Sequence, residues 1–319
     1  MVAGVAILVA SRSDRSASTA AQPAVPRERA VLDVRAGAVA ISPDGRRCVT
    51  LDRAGTTSLW SCADGERLLR RRGVAAGAST AAVAFTRDGL GILAASGGKA
   101  KVLDPGDLRT VTSLRGPTRA LAPVISPSGL RAFRPRSTHV AHIVDTGGGR
   151  RVVALRHIPD LARARVVFSR DDRSVAMVIR PRSWVTVFDA TTGEPRNSFN
   201  LDAADASFDL SADGARVLIA TGTTLRIMEV NTGVELERIT AHGAVSSAAF
   251  GADERLIVAG EADGGVEVWD TADGAEVAEY AGGSGAVSAA ALAADGRLLV
   301  SGSRGSPVVL ECPACAPAA

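Results

Sequence analysis

One short pattern recurs seven times along this 319-residue chain, and it sets what the chain can fold into. It is an apolar residue, two small or variable residues, then Asp-Gly or a near substitute. The copies stand at 41–45, 85–89, 125–129, 168–172, 210–214, 250–254 and 292–296. Their fourth residues fall at 44, 88, 128, 171, 213, 253 and 295, so the period stays between 40 and 44 residues. A second unit follows each copy by 15 to 17 residues: an aliphatic residue, a large apolar residue and usually an acid. Its instances include Val102-Leu103-Asp104, Val187-Phe188-Asp189 and Val268-Trp269-Asp270, and six of the seven end in Asp or Glu.

Each period reads as strand, Asp-Gly hairpin turn, strand, turn, strand, Thr-Gly-type turn, strand. Asp-Gly supplies the backbone angles that a tight hairpin needs. The strands alternate as half-buried strands should, with Val83 and Phe85 on one face and Ala82 and Ala84 on the other. No long amphipathic helix interrupts the series. Four short antiparallel strands per period, seven times over, predict an all-β, seven-bladed β-propeller. The last period offers only three strands before the chain ends. The segment "ERAVLDVRAG" at 28–37 stands where a fourth would be needed. An N-terminal strand completing the last blade would close the ring and leave no open edge. The expected organisation is a disordered tail and linker over 1–27, the propeller over 28–311 and a C-terminal tail over 312–319.

The stretches "AVAISPDGRRCVTL" (38–51) and "GVEVWDTADGAEV" (265–277) resemble WD-repeat propellers, a family of interaction scaffolds. The resemblance covers residues 28–311 and is degenerate. Trp-Asp occurs once, at Trp269-Asp270, and Gly-His survives only approximately around His242. The family's His–Ser–Asp–Trp hydrogen-bonded tetrad is expected at most in the blade holding His242, Asp263 and Trp269, and there Ala or Gly replaces its Ser. Stability is therefore expected to come from apolar packing between blades. The C-terminal "VVLECPACAP" resembles the end of propellers appended to large actinobacterial signalling proteins.

Motifs for chemistry are sparse. Four cysteines (Cys48, Cys62, Cys312, Cys315) do not make a disulfide scaffold and suit a reducing compartment. Cys312-Pro-Ala-Cys315 reads as a terminal feature without chemistry, with a disulfide or half a zinc site as its alternatives. His139 and His142, three apart on a strand, point to opposite faces and cannot easily share a metal. No phosphate loop, dinucleotide fingerprint, nucleophile elbow or zinc-protease motif occurs. The reading is a non-enzyme that takes no cofactor and no metal.

Arg-Pro-Arg-Ser occurs twice, at 134–137 and 180–183, each time ahead of the third strand of its repeat. The family resemblance puts that loop on the propeller's partner-binding top face. Arg134, Arg136, Arg180, Arg182 and the adjacent Trp184 are thus the candidate contact residues. Proline stiffens such a loop and lowers the entropy lost on binding, and Trp beside Arg is the composition of an interface hot spot. Charge is segregated: the net +3 of the chain conceals +10 in residues 107–182 and −13 in residues 183–319. This favours a protein partner with an acidic surface.

The expected function is a non-catalytic protein-interaction scaffold, a regulatory or sensory module in bacterial signalling. Its alternatives are a propeller enzyme with a channel-lining active site, or a binder of anionic ligands or nucleic acid through the Arg-rich sector. The acidic C-terminal half and the 3% aromatic content weigh against nucleic acid. The apolar run Val2 to Ala10 is far short of the ~20 residues a spanning helix needs. The expected location is cytoplasmic, or membrane-anchored if that run is the end of a longer anchor.

Overall fold

The structure, a computed structural model, describes residues 23–317 apart from 53, 74–81, 97, 117–122, 138, 156–157, 159–160, 162–163, 179–183, 204–205 and 283–284. The chain starts with β1 (Arg27–Val31). Blade one follows as β2 (Ala36–Ile41), β3 (Arg47–Asp52), β4 (Thr57–Ser61) and β5 (Arg67–Arg71). Blade two is β6 (Ala82–Phe85), β7 (Ile92–Ser96), β8 (Lys99–Leu103) and β9 (Thr110–Arg115). Blade three is β10 (Val124–Ile125), β11 (Arg131–Pro135), β12 (Ala141–Asp145) and β13 (Arg151–Leu155). Blade four is β14 (Arg165–Phe168), β15 (Ser174–Val178), β16 (Trp184–Asp189) and β17 (Pro195–Asn200). Blade five is β18 (Ser207–Leu210), β19 (Arg216–Thr221), β20 (Thr224–Glu229) and β21 (Glu235–Thr240). Blade six is β22 (Val245–Phe250), β23 (Leu256–Glu261), β24 (Gly265–Asp270) and β25 (Glu276–Ala281). Blade seven is β26 (Val287–Leu292), β27 (Arg297–Gly302) and β28 (Val308–Glu311), with β1 added antiparallel outside β28. The protein is an all-β, seven-bladed propeller, closed by its own N-terminal strand.

The hairpin pattern works for a local reason. The residue after each fourth position has a positive φ: Gly45, Gly89, Gly129, Gly214 and Gly296, all between 64° and 83°. That left-handed region is sterically free only for glycine. Around it, Ser42 Oγ donates to Asp44 Oδ1 at 2.5 Å, and the same carboxylate oxygen accepts the Arg46 N–H at 3.1 Å. Thr86–Asp88, Ser169–Asp171 and Ser211–Asp213 repeat the arrangement.

Two copies break the rule, with Asp172 and Glu254 at φ 61° in place of glycine. Each reaches into the turn of the preceding blade. Blade three reads Ser-Pro-Ser-Gly there and lacks its own carboxylate. Asp172 supplies one, accepting from Ser126 Oγ at 2.8 Å, Ser128 N at 3.3 Å and Ser128 Oγ. Glu254 accepts the Ala212 N–H and pairs with Arg216 at 3.3 Å. The steric cost of the backbone is offset by stitching between blades.

The core lies between the blades. Seven apolar clusters fill the seven junctions; Phe133, Ile143, Leu155, Phe168 and Met177, for example, join blades three and four. Some innermost strands are rich in small residues, as in "AGAVAI" of β2 and "VSAAAL" of β26, because blades converge there and leave little room. The N-terminal segment also straps two blades together. Ala24 pairs with the outer edge of blade six, through Ala24 N to Val277 O at 2.9 Å and Glu279 N to Ala24 O at 3.0 Å. Glu28 then accepts the Tyr280 hydroxyl hydrogen bond as the chain crosses to blade seven.

The cysteines correct the sequence reading. Cys48 pairs with Cys62 and Cys312 with Cys315, leaving no free thiol. The first pair is buried between β3 and the residue after β4. The second closes a 3-10 helix, Pro313–Cys315, packed into the junction of blades six and seven. The terminal pair takes the disulfide alternative. The pair in blade one escaped notice because Cys48 and Cys62 face each other only once β3 and β4 are in register.

Candidate functional site

In an up-and-down blade the first–second and third–fourth turns lie at one end of the ring. The second–third loops and the blade-to-blade connections lie at the other. By backbone position the expected contact residues belong to this second end, although the Arg134 guanidinium runs back along the blade to within 3.8 Å of where a Cβ on Gly149, in the third–fourth turn, would stand. Arg134 and Pro135 finish β11, and Arg136 enters a tight hairpin whose N–H groups at Arg136 and Ser137 both donate to Val140 O, at 2.7 and 3.2 Å. Arg134 lies directly across the sheet from His142. Burial, and then the guanidinium groups of Arg151, Arg136 and Arg134, hold His142 below the usual imidazole range. Among the described residues none of these three arginines has an acidic partner. In the next blade Trp184 opens β16 at the same end of the ring and is 50% exposed. Arg180 and Arg182 lie outside the described residues, so the structure places Arg134, Arg136 and Trp184 of the five candidates.

Blade six carries the opposite charge along its two outer strands. His242, in the connection from blade five, has Nδ1 2.9 Å from Glu267 Oε1 and 3.8 Å from Glu279 Oε1; its Nε2 is 3.8 Å from Glu276 Oε2. Glu267, on β24, also accepts the His242 backbone N–H at 2.8 Å and the Trp269 Nε1–H at 3.2 Å. The tetrad expected from His242, Asp263 and Trp269 is therefore rebuilt. Asp263 turns to the Gly265 N–H at 3.0 Å, and Glu267 joins His242 to Trp269. Glu261, at the end of β23, receives the Gly243 N–H beside this group. Burial raises Glu261, Glu267 and Glu276 above the ordinary glutamate range, and neighbouring carboxylates add to the shift of each. Sequence reading passed over Glu267. The available signal was a carboxylate two residues before Trp269, on the face of β24 that carries the indole.

Other polar groups stitch the ring. Asp209, raised by burial, accepts the Phe250 N–H of the next blade at 3.0 Å and the Leu210 N–H at 2.9 Å. The far end of the ring holds an open groove between blades two and three, with Leu90, Val111, Leu130 and Val152 exposed.

The fold and these turns define a class, the seven-bladed propeller of four-stranded blades. Residues 233–270, the stretch that holds His242, Glu267 and Trp269, match the WD domain, G-beta repeat family. One repeat that matches this family, set in a ring of seven four-stranded blades, supports a WD-repeat β-propeller. No curated protein sequence matches it.

Proposed function

We propose that this propeller is a non-catalytic interaction platform that grips an acidic protein surface with the blade three–four sector, as a regulatory or sensory module of bacterial signalling. WD-repeat propellers commonly mediate protein interactions, which supports the coarser reading. The observation that carries the finer one is that Arg134, Arg136 and Arg151 of blade three have no acidic partner among the described residues and stand one blade from exposed Trp184. Arginines without an acid break no existing ion pair when they meet one, and an exposed indole beside them supplies apolar contact. Arg180 and Arg182, the second copy of the motif, extend the same sector in this proposal. The two cysteine pairs favour an oxidising compartment, and so the membrane-anchored alternative over the cytoplasm. No described helix is long and apolar enough to cross a membrane.

The test is charge reversal. Changing Arg134, Arg136, Arg180 and Arg182 to Glu should abolish binding of the native partner and flatten its salt dependence, with circular dichroism unchanged. The same change at Arg35, Arg70, Arg71 and Arg72, exposed on blade one, should leave binding intact. Equal binding by both quadruple variants would remove the sector from the interface.

A further inference from the structure

We propose that the groove between blades two and three binds an aliphatic segment of a partner protein, one flanked by basic residues. Its turns lie at the other end of the ring from the loops of the blade three–four sector, and it selects the opposite charge. The groove measures about 580 Å3, within the ~300–1,000 Å3 of ordinary ligand sites.

The repeats themselves set this place apart. The residue after the left-handed position of each first–second turn is arginine in four copies (Arg46, Arg173, Arg255, Arg297) and alanine in one, Ala215. The adjacent copies in blades two and three carry leucine instead, and Leu90 and Leu130 are 77% and 71% exposed. Val111 of β9 and Val152 of β13 line the same groove and are exposed as well. Single exposed aliphatic residues are ordinary, whereas four gathered in one concave site mark a contact surface.

The walls are fixed before any ligand arrives. The Arg87 N–H donates to Pro127 O at 2.7 Å, which ties the blade two turn to the blade three turn. Thr146 donates from its N–H to Leu130 O at 3.0 Å and from Oγ1 to Gly129 O at 2.6 Å, bracing the blade three turn against the next hairpin. A site braced in this way loses little freedom when it is filled.

Charge selects the occupant. Asp88 Oδ1 accepts the Thr86 hydroxyl at 2.6 Å and the Leu90 N–H at 2.9 Å. Asp145 Oδ1 accepts the Gly148 and Gly147 N–H groups at 3.0 and 2.7 Å. These bonds hold both carboxyls below the ordinary aspartate range, so both are ionised at neutral pH. Arg87 and Arg150 add to the effect, yet neither aspartate is in an ion pair among the described residues. The Oδ2 atom of each is left over. Arg131 is the one basic side chain among the described lining residues, and its guanidinium turns to Asp172 O of blade four at 3.4 Å. What remains is an apolar lining with one unpaired carboxylate from each blade, which basic residues beside an aliphatic segment complement. A second copy docked groove to groove about a two-fold axis would bring both pairs of aspartates into one interface, where they repel.

The probe is a fluorescein-labelled peptide, Lys-Leu-Thr-Val-Thr-Leu-Lys, titrated with the full chain by fluorescence anisotropy. Its alternation sets three aliphatic side chains on one face of an extended strand. A control peptide carries Glu in place of both Lys. The lysine probe should bind saturably and at least ~10-fold more tightly than the control, with a gap that narrows as salt rises. Leu90→Ala with Leu130→Ala should weaken it at least ~10-fold, a modest figure for two leucines covered on binding. Ala215 occupies the same turn position in blade five, so this variant should fold, and circular dichroism checks it. Asp88→Asn with Asp145→Asn keeps the Oδ1 acceptors of the turns and should bring the two probes to equal affinity. No saturable binding, equal affinity for both probes in the parent, or undiminished binding in the leucine variant would overturn the proposal. Two other occupants would also overturn it. A sedimentation mass that rises with concentration in the parent but not in the leucine variant would give the groove to a second copy. Tighter probe binding by the full chain carrying Ile7→Asp and Val9→Asp would give it to the chain's own apolar run.

Discussion

Replacing Asp172 by glycine restores the residue that five of the seven turns carry, and the structure says it should still destabilise the ring. Asp172 holds φ at 61°, a region that costs a non-glycine residue ~1–2 kcal/mol, with Asp at the low end. Removing the side chain recovers about 1 kcal/mol of that strain. It also removes the carboxylate that accepts from Ser126 Oγ, Ser128 N and Ser128 Oγ of blade three. Hydrogen bonds to a charged group contribute ~1.5–3 kcal/mol each and are not additive, so about 3 kcal/mol is a conservative loss for the set. Ser126 is fully buried and loses the acceptor for its hydroxyl proton. The net is a destabilisation of ~2 kcal/mol, or a fall of about 4 °C in Tm for a domain of this size. Asp172→Asn keeps acceptor geometry and left-handed tolerance, and should fall between the two. Differential scanning calorimetry and urea unfolding of the three proteins measure this directly. A glycine variant as stable as the parent, or more so, would show that backbone strain outweighs the inter-blade bonds and would refute the latch.

The chain's single tyrosine makes its closure visible. Burial, and then Glu28, push Tyr280 up to about 12, so alkaline absorbance titration should show it ionising well above an ordinary phenol. Because the folded value is raised above the unfolded ~10, the stability this group contributes is full below pH ~10 and is lost as pH rises towards the folded value. Glu28→Gln should lower the midpoint, and an unshifted midpoint in the parent would detach the N-terminal strand from blade six. The cysteine pairs predict that alkylation of unreduced protein labels no thiol. Cys48→Ala with Cys62→Ala should cost up to ~3 kcal/mol, since the bridge closes a loop of about 15 residues. Cys312→Ser with Cys315→Ser closes only a short loop and should cost far less. Four labelled cysteines would remove both bridges.

Glycine at 45, 89, 129, 214 and 296 adopts its angles for reasons contained in a few neighbouring residues. A hairpin signal of this kind survives in sequence, and seven in phase determined the blade count, the strand order and the need for an N-terminal strand to finish the ring. The apolar alternation of strands such as β6 follows from the same local rule, as does a second–third loop rich in Arg and Pro in blade three. What sequence left open are side-chain contacts between different strands, from 14 to 46 positions apart. Asp172 reads as a defective turn until blade four stands beside blade three and its carboxylate meets Ser126 and Ser128. Cys48 meets Cys62 only through the register of β3 on β4. Glu267 reads as one more strand acid until the connection from blade five brings His242 to it, with Glu276 arriving from the outer strand. Turns are decided by the torsional preferences of adjacent residues, whereas buried charge is decided by whatever packing places opposite it. The first is written in the order of the amino acids, and the second exists only when the ring is closed.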